Sequence, residues 1–564
     1  MLEPILSPLD YYLHTAKQAH SDNTRAYLNL LCEHAGVDRA ANAQTVAKYN
    51  AKQKELEGLR KNKSGHKTKR TLAIIGIIIG FFIALGLCTN LGLQDSEFVP
   101  VFLLLLGLCI FGIVMVCKKQ NAKIRALDAQ MVTIQDEANV LYQEALGQVA
   151  PLNSLFTNED GVNLFTKTLP FITFDKCFTD ARLTEMMNDY GFSAALSGEE
   201  CVLDSLSGEL YGSPFLYLQK LRHEMGWETY HGSTTISWTT TERDAQGNLC
   251  TRTHTQTLHA SISRPKPYYY TDTTLYFGNK ACPNVNFSRT YKHMEDKSDS
   301  AVDRAVRAGE KKIRRKEEKA LKEGDDFMGT LNVEFDVIFG ATNRTDDHEF
   351  RQMFTVRAQE SMLKLLLYKE GYGDDFSFVK QGTMCAIRSE HAQGKPLSPY
   401  ASEYYSHDVT QAEKAFMDKN EEFFRSVYFD FAPLLLIPVY QQPLVRSKAV
   451  VGGGLTAYNY EAMACRLARR LAPDDSNTDV IFKTALQERT AGGDAVRVSA
   501  YGYRAEARLH YETVYGNDGH FHQVPIEWME YIPTQKNSVI KIVREGGAVP
   551  DGAVYHRGNY GYMA

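Results

Sequence analysis

"LAIIGIIIGFFIALGLCTNLGLQDSEFVPVFLLLLGLCIFGIVMVCKK" fills residues 72–119 and decides how the rest of the chain is organised. Two uncharged runs, about 71–93 and 98–117, flank the short polar segment "QDSE". Each is as long as the roughly 20 apolar residues that one helical bilayer crossing needs. Pro100 falls near the start of the second run, where a helix leaves its first N–H groups unpaired anyway. The pattern predicts a two-helix transmembrane hairpin rather than the buried hairpin of a soluble protein.

The flanks give the expected orientation. "RKNKSGHKTKR" at 60–70 carries six Lys or Arg, and "KKQNAKIR" at 118–125 carries four. The turn between the runs holds Asp95 and Glu97 and no basic residue. Positive charge stays on the cytoplasmic side, so a two-span protein of the cell membrane with both termini cytoplasmic is expected. The sequons at Asn286 and Asn343 are then expected to stay unglycosylated. Gly76, Gly80 and Ala84 recur at every fourth position, a stripe of small residues that admits close approach of the second span or of another protomer. Neither run contains an ionisable group, which argues against a transporter or pump.

Beyond Cys117 the apolar periodicity continues. Ile124, Leu127, Met131, Ile134, Ala138, Leu141 and Ala145 are spaced alternately by three and four, an a/d seam. A coiled-coil-like stalk to about Gly147 follows, with Val46, Tyr49 and Leu56 as a weaker match upstream. The seam serves an antiparallel pair of stalk helices, a homo-oligomeric coiled coil, or packing on the main domain. The expected division is a helical segment and first stalk helix at 1–60, the hairpin with its basic flanks at 61–119 and a second stalk helix at 120–149. An α+β subdomain at 150–295, a charged helix at 296–324 and a second α+β subdomain at 325–564 follow.

The large cytosolic region reads as mixed and mainly antiparallel, so the fold class is α+β. "STTISWTTTERDAQGNLCTRTHTQTLHASIS" (233–263) predicts a hairpin of long polar strands turning at 244–248, and the stretch from Asp494 to Trp528 predicts another about Asn517-Asp518-Gly519. "DSAVDRAVRAGEKKIRRKEEKALKEGDD" (299–326) predicts a helix with Ser300 and Asp303 as a capping pair. Its basic run, Lys311, Lys312, Arg314, Arg315 and Lys316, could meet an anionic surface, although its neighbouring acids dilute it. "TLNVEFDVIFG" (330–340) and "APLLLIPVYQQ" (432–442) read as strands, "TDDHEFRQMF" and "TVRAQESMLKLLLY" as capped helices, and "DFSFVKQGTMCAIRS" as a hairpin.

An acidic turn, a Phe350-x-x-x-Phe354 helix start, an apolar helix with Met362, Leu363 and Leu366, and a short hairpin over Phe376–Ile387 follow one another. Over these sixty or so residues and the anchor, the chain resembles an uncharacterised family of bacterial membrane proteins. In that family a two-span anchor precedes a cytosolic domain of unknown function. The resemblance implies architecture and supplies no catalytic residue.

Chemistry is harder to find. The 564 residues have a formal net charge of -5, so whole-chain attraction to nucleic acid is not expected. The ten cysteines form no C-x-x-C pair and read as buried hydrophobes. Gly452-x-Gly454 precedes a helical stretch and could place a phosphate at a helix N-terminus, but no acid follows to hold a ribose. "HEMGW" (223–227) has Trp227 where a zinc helix needs its second His, and His520 and His522 lack a third ligand. No cofactor or metal is therefore expected. The expected function is a membrane-anchored binding or scaffold module that engages a protein partner or self-assembles at the inner face of the membrane. A membrane-tethered enzyme acting on a nucleotide or phosphate compound through Gly452 and Gly454 is the first alternative, and an oligomeric two-span channel the second.

Overall fold

The computed structural model describes residues 4–90, 95–243, 249–324, 327–442, 453–490, 492–543, 554–555 and 561–563. The chain is mixed α and β, with two long apolar helices and two antiparallel sheets. Its contacts cluster into two units. One comprises Arg25–Thr157 with Tyr400–Asp418, and the other comprises Met1–Thr24, Asn158–Pro399 and Lys419–Ala564.

The first unit is built on helices Arg39–Asn90 and Asp95–Leu155. The 61 residues of the second make a rod about 90 Å long at 1.5 Å per residue. Lys52 meets Glu137 at 2.7 Å, Lys63 meets Asp128 at 2.5 Å, and Arg70 donates to Asn121 at 2.7 Å. Numbers rise along one helix as they fall along its neighbour, so the pair is antiparallel. Both helices are long and apolar enough to cross a membrane, and no residue in their most apolar windows is buried.

The second unit holds both sheets. The seven-stranded sheet uses β1 (Ile172–Phe174), β2 (Glu200–Leu210), β3 (Ser213–Arg243), β4 (Leu249–Gly278), β5 (Phe287–Arg289), β6 (Phe376–Gln381) and β7 (Met384–Ser389). Its order is β1-β2-β3-β4-β7-β6-β5, so it joins segments on both sides of the charged helix Asp299–Glu323. The five-stranded sheet uses β8 (Ile481–Thr490), β9 (Gly493–Tyr515), β10 (Phe521–Val543), β11 (Val554–Tyr555) and β12 (Gly561–Met563), in the order β11-β12-β10-β9-β8.

Two hairpins outgrow their sheets. β3 and β4 stay paired from Phe215↔Phe277 to Arg243↔Leu249, although β2 and β7 cover only their roots. The hairpin of β9 and β10 lies across them: Arg264 sits 4.9 Å from the Trp528 ring centre, and Asn517 N–H donates to Gln256 Oε1 at 2.8 Å. Gly232 is required at the crossing, because a Cβ there would run into the Pro525 carbonyl. Even-numbered residues from Gly226 to Thr240 are partly covered, and odd-numbered ones face solvent. The expected 244–248 turn lies outside the described residues.

The core of this unit is aromatic. Phe287, Phe335, Phe339, Phe350 and Phe354 form one cluster, with Phe287 and Phe350 in edge contact at 5.6 Å. The N-terminal segment is part of it. Leu9 and Tyr12 are buried in the same cluster, Ile5 N–H donates to Gln441 Oε1 at 2.8 Å, and Tyr428 donates to the Pro8 carbonyl at 2.7 Å.

Two expected strands are helical. "TLNVEFDVIFG" contains the helix Val333–Phe339, started by the Asn332 side chain on the Phe335 N–H and ended by Gly340 at φ 79°. Its alternating pattern also satisfies three-and-four spacing: Phe335, Ile338 and Phe339 are all buried, and the caps decide between the periods. "APLLLIPVYQQ" continues the helix Val409–Leu435 and ends in a 3-10 turn, Pro438–Gln441. A continuous apolar run has no period to separate a buried strand from a buried helix. Ser298, not Ser300, is the N-cap of helix Asp299–Glu323.

Candidate functional site

A cleft of about 900 Å³ opens beside β6 and β7, lined among others by Tyr291, His293, Glu295, Asp375, Glu390 and His391. Its floor is set by β7, which ends at Ser389 and delivers residues 390–393 into a turn. Gln393 pins that turn to the hairpin root, accepting from Thr273 N–H at 2.8 Å and donating to Thr273 O at 3.0 Å.

His391 is almost fully buried and stacks on Tyr372 with ring centres 3.7 Å apart. Its Nδ1 meets the Asp375 carboxylate, and its Nε2 donates to Ser426 O at 3.1 Å with Asp430 Oδ1 3.6 Å away. Burial pulls the imidazole pKa down, but the Asp430 and Asp375 carboxylates outweigh it and the net shift is upward. Tyr217 donates to the other Asp430 oxygen, and burial raises both the Asp430 carboxyl and the Tyr217 phenol. With both ring nitrogens engaged, His391 braces the floor and has no free nitrogen to act as a base on a ligand.

The rim is different. Residues 290–296 form a loop held from beneath by Asp374, whose carboxylate accepts from Lys292 N–H at 3.1 Å and Met294 N–H at 3.3 Å and pairs with the fully buried Arg289. That clamp leaves His293 at φ 49°, in the left-handed region that non-glycine residues seldom occupy. The His293 ring lies edge-on to Tyr291, and its nitrogens stand 3.8 Å from Glu295 Oε1 and 3.7 Å from Glu390 Oε2, beyond direct hydrogen bonding. The Glu295 side chain is 10% exposed, and burial raises its carboxyl pKa. One donor atom each from His293, Glu295 and Asp296 lie within 4.8 Å of one another.

The arm offers a second kind of surface. Leu509, Tyr511 and Tyr515 on β9 alternate on one face and are all exposed, and Phe521 pairs with Tyr515 in edge contact at 5.1 Å. Across the arm, the outward residues of β3 and β4 form a hydroxyl ladder, with Thr235 and Thr257 3.2 Å apart and Thr229 and Ser263 3.0 Å apart.

The residues singled out from the sequence fall elsewhere. Gly452 lies outside the described residues. Gly454 N–H donates to Asp180 Oδ1 at 2.9 Å, so a carboxylate already holds the amide that a phosphate would need. Gly76 and Gly80 are exposed, with nothing within 4 Å of a Cβ at either, and Ala84 is half-buried; the glycine that approaches the neighbouring helix is Gly112, against Ile77. Ala138 is fully buried, and Leu127, Met131, Ile134 and Leu141 are half-buried. Lys311, Lys312, Arg314 and Arg315 are exposed, whereas Lys316 turns inward to the Thr342 carbonyl and the Phe327 ring. His223 is on β3, bonded to Glu199 at 2.5 Å, and His522 is tied to Asp518 at 2.9 Å. Sequence reasoning passed over "KHMED", whose donors lie one to three residues apart in a loop and belong to no helix or strand that would mark them as one face.

Comparison of the chain with protein-family models, with curated proteins and with solved structures returned no match.

Proposed function

We propose that the chain is a membrane-anchored binding module whose two-hairpin arm engages a protein partner on the cytoplasmic side. The observation that carries this reading is apolar surface that the chain itself leaves uncovered. Leu72, Ile79, Phe82 and Ile83 on one long helix, and Leu103, Leu104, Leu108 and Phe111 on the other, are each more than half exposed. In water such a band would hold several large side chains in solvent at about 1.5–3 kcal/mol each, and a bilayer removes that penalty. On the arm, Tyr511, Tyr515 and Phe521 present the aromatic surface that protein interfaces favour. The basic flanks at 60–70 and 118–125 support the cytoplasmic assignment.

Thiol labelling of intact cells tests the orientation. In a Cys88→Ser background, a Ser96→Cys variant should react with an impermeant maleimide, and the exposed Cys250 only after permeabilisation. The reverse pattern overturns the topology. For the partner, a photo-crosslinking residue at position 511 should yield a discrete adduct, and a twofold mass would identify a second copy. A strictly monomeric chain with no adduct removes the binding role.

A further inference from the structure

We infer that the loop at 290–296 is a binding site for one divalent transition-metal cation, held by His293, Glu295 and Asp296. The inference is independent of the arm and of the membrane.

Three observations converge. The imidazole and two carboxylates already lie within 4.8 Å of one another. Bonds of about 2.1 Å in a tetrahedral site hold ligand atoms about 3.4 Å apart, so each of the three donors closes on one ion by moving less than about 1 Å. Glu295 Oε2 is buried and has no hydrogen-bond partner among the described residues. The Glu295 side chain is nine-tenths buried on a residue that lines the acidic cleft, and a cation bound by its carboxylate offsets the cost of the orphaned oxygen. The ring nitrogens of His293 also stop short of hydrogen bonding, at 3.8 and 3.7 Å from carboxylates, leaving room for an ion between the groups.

The donor set fixes the class. One imidazole nitrogen with two carboxylate oxygens suits Zn²⁺ or Mn²⁺ better than Ca²⁺, which takes six to eight oxygens. The loop is stiff because Asp374 and Arg289 clamp it from below. Asp296 is exposed, so the site is open on one side. Three protein ligands leave at least one position of the ion facing the cleft, free for water or an anionic ligand.

The test uses the full chain in detergent, freed of metal and titrated with Zn²⁺ by competition against a chromophoric chelator. Mn²⁺ is followed in parallel by electron paramagnetic resonance. One ion per chain is expected. Glu295→Gln and His293→Ala should each weaken Zn²⁺ binding tenfold or more, while His520→Ala on the exposed β9–β10 turn should leave it unchanged. Asp296→Asn, at an exposed position that cannot disturb the core, should weaken binding as well and guards against a folding artefact. Absence of stoichiometric binding overturns the assignment. Binding that survives all three ligand variants does so too, because it places the ion elsewhere.

Discussion

His20 should make the attachment of the N-terminal segment sensitive to pH. Its ring is 1% exposed and stacks on Phe424 with centres 4.0 Å apart and planes at 7°. Nε2 donates to the Asn420 carbonyl at 3.2 Å, and Nδ1 faces Thr168 Oγ1 at 3.2 Å. Burial pulls the imidazole pKa from 6.5 down to about 4, only partly opposed by the Asn420 carbonyl. The folded value lies below the unfolded one, so the opened segment binds more protons and stability falls with pH through that window. Linkage between 6.5 and 4 removes about 2 kcal/mol between pH 7 and pH 5. Hydrogen exchange of peptides covering residues 8–20, corrected for intrinsic rate, should therefore lose protection roughly twentyfold over that interval. His20→Phe keeps a ring against Phe424 and removes the titration, so its protection should change little with pH. Equal losses in the two proteins would refute the assignment of the pH dependence to this residue.

Arg182 is 2% exposed and joins Asp175, Glu185 and Glu209 at 2.7–3.0 Å, so Arg182→Met should destabilise the second unit by about 3–5 kcal/mol, and an unmoved denaturation midpoint would count against this. Gly232→Val should push the two hairpins apart, because its side chain would enter the Pro525 backbone. With Trp227→Phe and Trp238→Phe in the background, Trp528 emission should shift to the red while the β circular dichroism persists; unshifted emission would show that the hairpins still cross as before. Asp374→Asn strips the fully buried Arg289 of its counter-charge, a change worth about 3 kcal/mol or more, and should speed tryptic cleavage at Lys292 and Lys297. Cleavage at the wild-type rate would mean that the loop is not held by Asp374.

The sequence made the local elements legible where one period dominated. The three-and-four spacing up to Ala145 and the alternating Thr of 233–263 each admit a single secondary structure, the uncharged runs are decided by their length instead, and helices Arg39–Asn90 and Asp95–Leu155 with strands β3 and β4 stand there. Where two periods fitted, as at Val333–Phe339, the caps and the aromatic core decided, and both act through contacts that pattern alone does not contain. The cleft was hidden for a related reason. His293 and Glu295 are brought to bear by Asp374, some eighty residues later, and His391 by Asp430. A motif defined by local spacing cannot register donors whose geometry is imposed from another part of the sheet.

The buried charges of the second unit separate into two groups. His391, Arg182 and Arg289 each face carboxylates at bonding or near-bonding distance, and His391 engages both ring nitrogens, so these residues brace the fold. Glu295 differs in position: Arg289 also carries a buried nitrogen without a partner, but Glu295 Oε2 is on a side chain that lines the cleft beside an imidazole and a second carboxylate. A network built for stability alone would gain from neutralising such an oxygen, since each unsatisfied buried polar group costs about 1–3 kcal/mol. Its persistence on the wall of a cleft that Gln393 ties to the root of the arm therefore points to an occupant from solution. Gln219 reinforces that tie by donating to the Lys395 carbonyl at 2.7 Å. An ion in the loop would sit beside the seven-stranded sheet, whereas the aromatic face of Tyr511, Tyr515 and Phe521 belongs to the five-stranded one, so loss of the ion and loss of the partner are separate outcomes that each test its own site.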